Sequence, residues 1–419
     1  MSNTMCTVPW VGFSNDPDGR IRPCCISKDH VVKEDGTPYY TQKDNIKDIF
    51  HSKYMNELRQ EFKDGKKPSN CEVCWKDEEN GYKSKRESYN EIIKEYLGEY
   101  VTPEFITENV PEYPFDFQVI LSNACNLKCR SCGSSHSTEW YKELKTMPQE
   151  DVYGIRNHLY TLPNGQAGDK NGEFISSMED WLPFVKRIEI VGGEPFYTKN
   201  WENAWNYMIE QDKAKDIILN MSTNGTICNE PLIHKLANNF KKVGIGLSVD
   251  GMGKTFNYLR KGGNWDDVKV NIEKFRQIDE IYKKNDNLFF NYTYTTSWIN
   301  AWELTDFYDW IKEYTPNFRL WANIIHNPEH MTLYMLPVET KDKIKEKWLS
   351  YDGWGYHKSD VDGMIAFMYS KQPTDDEIKQ VFKRFTILDK HRTESTFDVV
   401  SSFYSELKPY FKAFAGEVI

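Results

Sequence analysis

Eight of the nine cysteines in this 419-residue chain fall at or before position 132, and their spacing is the first sign of chemistry. Cys125, Cys129 and Cys132 form a C-x3-C-x2-C run that follows a short apolar segment. Three thiolates are one short of closing a four-iron cluster. A site of that kind keeps one metal position open, which suits catalysis better than structure. A zinc ion that borrows a distant fourth ligand is the alternative on spacing alone. Cys6, Cys24, Cys71 and Cys74 make a second set, with Cys25 beside it as a spare thiol or a substitute for Cys24. An odd count and tight clustering without a secretory leader fit metal ligation better than a disulfide framework. A reducing, cytoplasmic setting follows.

The elements that must position these thiols alternate in type. Between about 115 and 330, β-rich runs (115–121, 187–191, 217–222, 242–249, 288–296 and 319–325) are separated by helical patterns such as 201–213 and 264–278. Strands separated by helices imply right-handed crossovers and a parallel sheet. Six units are too few for a closed eight-stranded barrel, so the fold class is α/β, a partial (β/α)6 barrel. Residues 1–110 are expected as a small cysteine-rich domain, 111–335 as the barrel and 336–419 as a helical C-terminal extension. Residues 45–62 read as one helical stretch, and 148–180 as a loop-rich insertion.

In parallel sheets the carboxyl ends of the strands carry function. Here they read Gly192-Gly193-Glu194-Pro195, Ser222-Thr223-Asn224-Gly225 and Ser248-Val249-Asp250-Gly251. Each is a glycine turn with a polar group, weak alone and informative together with the cysteine loop. On the fifth run Asn291, Thr293 and Thr295 share one face and Phe290, Tyr292 and Tyr294 the other; either set could face the barrel interior. Cys228 is a weak candidate for a catalytic hydrogen donor, with a buried apolar role as the plainer reading. His326, at the last strand's end, reads similarly as a satisfied polar residue or a substrate contact.

CNLKCRSC (125–132), GGEP (192–195), STNG (222–225) and SVDG (248–251), in that order, resemble the radical SAM superfamily. The resemblance implies a [4Fe–4S] cluster on Cys125, Cys129 and Cys132 whose open iron binds S-adenosylmethionine. It implies cleavage to a 5′-deoxyadenosyl radical that takes a hydrogen atom from substrate. By motif, Gly192, Gly193, Glu194 and Pro195 meet the methionyl amino group, while Ser222, Asn224, Ser248 and Asp250 face the ribose and methionyl parts. Arg260 matches an arginine that approaches the carboxylate. Relatives carry an aromatic residue before the third cysteine, where this chain has Ser131, which cannot stack on an adenine.

The pattern C-x12-G-x4-C from Cys6 through Gly19 to Cys24, closed by Cys71 and Cys74, resembles the SPASM/twitch auxiliary-cluster domain. In relatives it follows the barrel; here it comes first. The resemblance implies a second [4Fe–4S] cluster, with structural zinc as the alternative.

The reading that unites these motifs is a radical enzyme acting on a peptide, a protein or a small metabolite and served by a cellular one-electron reductant. A non-catalytic metal-binding scaffold or sensor is the rival. The net charge of −10 argues against nucleic acid. No apolar run reaches the ~18–20 residues of a membrane span.

Overall fold

A computed structural model describes residues 4–97, 110–155 and 173–412. Eight strands form one sheet: β1 (Gly12–Asn15), β2 (Ile21–Arg22), β3 (Asp116–Val119), β4 (Arg187–Ile190), β5 (Ile218–Thr223), β6 (Lys242–Ser248), β7 (Leu288–Thr296) and β8 (Arg319–Ile324). The spatial order is β2-β1-β3-β4-β5-β6-β7-β8. All neighbours are parallel except the β1–β2 hairpin at one edge. The six expected strands are present as β3 to β8, and the architecture is a partial, open barrel.

The sheet is wider than the expected six units, because the cysteine-rich segment contributes β1 and β2. Gly12, Phe13 and Ser14 pair with Asp116, Phe117 and Gln118 across more than a hundred residues of chain. The Asn15 carboxamide fastens the join, donating to the Ile120 carbonyl at 3.1 Å and accepting the Ile120 N–H at 2.9 Å.

The helical stretch near residue 50 is two helices, Ile46–Phe50 and Lys53–Lys63. Ser52 breaks it by accepting the Met55 N–H, a competing N-cap that ends one helix and starts the next. Within 148–180, residues 156–172 lie outside the described residues. Their flanks are short helices, Gln149–Ile155, Glu173–Ser176 and Met178–Trp181, not loop.

Side-chain alternation decides the two faces of the sheet. Tyr292 and Tyr294 of β7 pack against Phe307 of the helix Leu304–Tyr314, and Phe290 against Phe275 of the helix Trp265–Tyr282. The aromatic set therefore faces the helices, and Asn291, Thr293 and Thr295 face the barrel interior. Register extends that inner face in one row, polar from Ser14 through Gln118 and Glu189 to Asn220 and then continued by Gly244 and Phe289. Gly244 is required in this row. A Cβ there would lie 2.4 Å from both the Asn220 Oδ1 and the Phe289 ring.

Candidate active site

The cysteine loop begins just past β3. Cys125 and Cys129 are buried, Cys132 is half-buried, and all three pack around Leu127. The loop is paired by backbone hydrogen bonds with the segment before Gly262: Lys128 N–H donates to Lys261 O at 2.9 Å, and Arg130 N–H to Leu259 O at 2.8 Å. Burial pushes all three thiols up, Cys132 to about 12. The neighbouring Cys129 raises Cys125 and Cys132 further, while Arg260 beside Cys129 works in the opposite direction. Three crowded thiols of this kind are costly to ionise alone and suit a metal cluster that holds them as thiolates.

The turn after β4 is locked onto that loop. Gly192 and Gly193 have φ of 82° and 62°, left-handed values that favour glycine. A Cβ on Gly193 would stand 2.6 Å from the Ala124 carbonyl oxygen. That close approach lets the Glu194 N–H donate to the same carbonyl at 2.8 Å.

Glu194 is only 1% exposed. Its carboxylate accepts the Thr223 hydroxyl at 2.7 Å, the Asn224 N–H at 2.7 Å and the Phe196 N–H at 3.1 Å. Burial pushes this carboxyl up to about 7 against the pull of those donors. Its side chain thus splints the GGEP turn to the STNG turn, and the backbone of the turn is what remains for a ligand.

Asn224 carries the splint on to the cysteines. Its Nδ2 donates to Asn126 Oδ1 at 3.0 Å, its Oδ1 accepts the Thr226 hydroxyl at 2.6 Å, and Asn126 Nδ2 donates back to Thr226 Oγ1 at 2.8 Å. The same Nδ2 lies 4.0 Å from Cys125 Sγ. After β6, Asp250 pairs with Arg260 at 2.7 Å and accepts the Thr295 N–H at 2.8 Å. Ser222 is exposed and Ser248 half-buried, on the inner face with Thr293. Three motifs expected from the sequence thus share one mouth with the cysteine loop. Residues that the sequence reading passed over are Thr223, Asn126 and Asn300, whose Nδ2 donates to the Asp250 carbonyl at 3.1 Å. Asn126, inside the cysteine motif, and Thr223, inside STNG, carried a local signal, and Asn300 carried none.

Cys6, Cys24 and Cys71 pack on one apolar cluster with Trp10 and Trp75. A cavity lined by Cys6, Cys24, Cys74, Lys85 and Arg86 also reaches Ser14 and Gln118 of the inner face. Burial pushes all four thiols of the set up, Cys74 to about 11, and neighbouring cysteines of the set raise Cys6, Cys24 and Cys71 further. The donor set therefore fits a second thiolate-bound metal group. Cys25 is different. It is exposed and lines the same cavity beside Cys24, with Lys85 and with Gln118 and Glu189 of the sheet's inner face as its neighbours.

Cys228 is half-buried against the main core, and burial pushes its thiol up to about 12. His326 lies 3.8 Å from Asp77 and stacks edge-on with Phe367, at the seam between the last strand and the helix Glu72–Glu79. Among the described residues, no three His, Cys, Asp or Glu side chains converge on a point that a single ion would fill. No helix among them is long and apolar enough to cross a membrane.

A model of the radical SAM superfamily matches residues 119–279, and one of SPASM, an iron–sulfur cluster-binding domain, matches residues 6–75. The chain is 29% identical over 200 residues to an S-adenosylmethionine-dependent nucleotide dehydratase of Psychrobacter lutiphocae, covering 47% of this chain and 60% of that one. It is 25% identical over 166 residues to a GTP 3′,8-cyclase of Syntrophomonas wolfei, covering 39% and 42%. It thus spans about half the length of these curated relatives. Among solved structures, Streptococcus suis SuiB bound to precursor peptide SuiA is similar at 15% identity and a TM-score of 0.33, over 77% of this chain and 66% of that one. The structure of anSMEcpe with bound AdoMet and Cp18Cys peptide is similar at 19% and 0.34, over 56% and 59%.

Proposed function

From the matches of residues 119–279 to the radical SAM superfamily and of residues 6–75 to SPASM, we propose that the chain is an S-adenosylmethionine-dependent radical enzyme with a SPASM-like segment. In this reading Cys125, Cys129 and Cys132 would hold the catalytic [4Fe–4S] cluster, and the adjoining strand-end turns would hold S-adenosylmethionine beside it. Cluster and cofactor together supply one-electron chemistry for hydrogen-atom abstraction. The protein's own share is binding and orientation. The GGEP backbone receives the methionyl amino group, Asp250 and Arg260 the polar end of the cofactor, and Ser222 and Ser248 the ribose.

The observation that carries this reading is the splint from Glu194 through Asn224 to Asn126, which ties two strand-end turns to the cysteine loop. A scaffold that held metal without turnover has no need to register those turns against an incomplete thiolate set.

We assign Cys6, Cys24, Cys71 and Cys74 to a second [4Fe–4S] cluster, which would supply electron transfer or a substrate-binding iron, and residues 1–110, 111–335 and 336–419 to cluster domain, barrel and extension. The substrate is a small polar metabolite or a peptide or protein side chain, held on the row of amides and hydroxyls inside the sheet. That row favours a ligand rich in hydrogen-bonding groups over an apolar one. The setting is the cytoplasm, whose reducing conditions keep thiolates available to hold clusters, and the electron donor is a cellular one-electron reductant.

The test is anaerobic reconstitution with iron and sulfide, then dithionite and S-adenosylmethionine, with 5′-deoxyadenosine measured by mass spectrometry. Wild-type protein forms it and Cys129→Ala does not. Equal yields from both would remove the assignment.

A further inference from the structure

The cysteine loop has a second set of supports, supplied by the C-terminal extension rather than by the strand ends. Arg130, inside the loop, is fully buried. Its Nη2 donates to Asp389 at 2.6 Å and to Glu394 at 2.7 Å, and its guanidinium lies 3.7 Å above the Tyr258 ring. Arg392, the last residue of the helix Asp375–Arg392, is also buried. It donates to both oxygens of Glu143, at 3.2 and 2.7 Å, and to the Lys128 carbonyl at 3.0 Å. The same guanidinium lies 4.6 Å from the Trp140 ring, whose indole N–H donates to the Cys129 carbonyl at 2.7 Å.

The turn that returns the chain to Arg130 is strained. Thr393 sits at φ 54° and ψ 50°, a left-handed conformation unfavourable for a β-branched residue. Asp389 holds it, accepting the Thr396 N–H at 2.6 Å and the Thr396 hydroxyl at 2.7 Å. A strained turn secured by four hydrogen bonds to one buried carboxylate marks a place where geometry is fixed at a cost.

Charge accounting gives the brace a direction. Arg130, Arg392, Lys128 and Lys261 face Asp389, Glu394 and Glu143, so four cations meet three carboxylates and one net positive charge remains. Arg130 Nε and Nη1 and Arg392 Nη1 are buried with no protein acceptor. Such groups are stabilised by added negative charge nearby and destabilised by its removal.

We propose that Arg130 and Arg392 are positioning residues of the catalytic cluster: they lock the backbone of the cysteine loop and place net positive charge beside its thiolates, favouring the cluster's one-electron-reduced state. The inference rests on the reading that Cys125, Cys129 and Cys132 hold a reducible cluster. It gives the C-terminal extension a part in electron entry that no strand-end motif supplies.

The test is a redox titration with dithionite of the full chain carrying both clusters. It follows by electron paramagnetic resonance the signal that changes on adding S-adenosylmethionine. At a fixed poise, Arg392→Gln reduces the ratio of reduced to oxidised cluster about tenfold, equivalent to about 59 mV for one electron. Glu143→Gln moves the ratio in the opposite direction. Arg392→Lys retains the potential while losing the fork of hydrogen bonds and some thermal stability. Should Arg392→Gln fail to fold or to load iron, Lys261→Gln, a half-exposed member of the same charge set, still lowers the ratio, by about threefold on the same scale. Unchanged ratios in Glu143→Gln and Lys261→Gln, with iron loaded as in wild type, overturn the proposal. A wild-type protein with no signal responsive to S-adenosylmethionine overturns the proposed function instead.

Discussion

Arg260 and Asp250, both expected at the cofactor, are bound to each other: Nη2 lies 2.7 Å from Oδ2. The other Asp250 oxygen is taken by the Thr295 N–H of β7, so the pair joins the segment beside the cysteine loop to two strand ends. These residues therefore serve the fold as well as a ligand.

For that reason Asp250→Asn has two effects. Leaving Arg260 unpaired in a buried site costs about 3 kcal/mol of stability, read by chemical denaturation. Calorimetry shows S-adenosylmethionine binding weakened at least tenfold, about 1.4 kcal/mol. Adding Arg260→Met restores much of the stability and none of the affinity. Affinity that recovers with stability would show that the pair only supports the turn.

Glu194→Gln places an amide group among three donors. The Thr223 hydroxyl and Phe196 N–H can still reach the carbonyl oxygen, but the Asn224 N–H then faces a donor. The unsatisfied N–H costs about 1–3 kcal/mol. Cofactor binding falls with it, because the STNG turn loses its register on the cysteine loop. Isothermal titration of the reconstituted variant checks this, and wild-type affinity would release Glu194 from the role of splint.

Two clusters predict about eight irons per reconstituted chain. The double variant Cys71→Ala, Cys74→Ala retains about four and still cleaves S-adenosylmethionine without substrate. One stoichiometric zinc per wild-type chain, by elemental analysis, would make the N-terminal segment a structural clasp.

Asp77 gives the protein a pH dependence. Burial, with Glu78 nearby, pushes its carboxyl up to about 7, while burial lowers His326 beside it. A carboxyl with a raised folded pKa favours folding fully below its ordinary value, and that contribution is lost as pH rises to about 7. Asp77→Asn therefore matches wild type at pH 4 and melts higher at pH 8, by roughly 2–4 °C for each kcal/mol. Equal melting temperatures at pH 8 would show that the carboxylate is compensated.

The parts of the site differ most in distance along the chain. C-x3-C-x2-C and the strand-end turns are local, since a loop of eight residues brings three thiols together and a β-strand points its last residues at the mouth. That much was legible in the residues themselves, as were strands β3 to β8 from their alternation with helices. Period-two alternation, in contrast, divides β7 into two faces without saying which is inside. Packing of Tyr292 and Tyr294 on Phe307 decided that Asn291 and Thr293 face inward. Alternation also hid Thr223, which points away from the inner face and so reaches Glu194.

Contacts that close over long stretches of chain belong to the tertiary structure alone. β1 joins β3 because an edge strand needs hydrogen-bond partners, and Phe13 and Phe117 then pack at 5.2 Å. Cys24 and Cys25 were equivalent as letters, and only the fold set them apart within one cavity, Cys24 half-buried on the apolar cluster of Cys6 and Cys25 exposed beside Gln118 and Lys85. The brace on the cysteine loop is the extreme case. Arg392 meets Glu143 across 249 positions, and Arg130 meets Glu394 across 264. No spacing rule records such a pair. The low dielectric of the interior makes an unpaired guanidinium costly, and folding is what brings its carboxylate within reach.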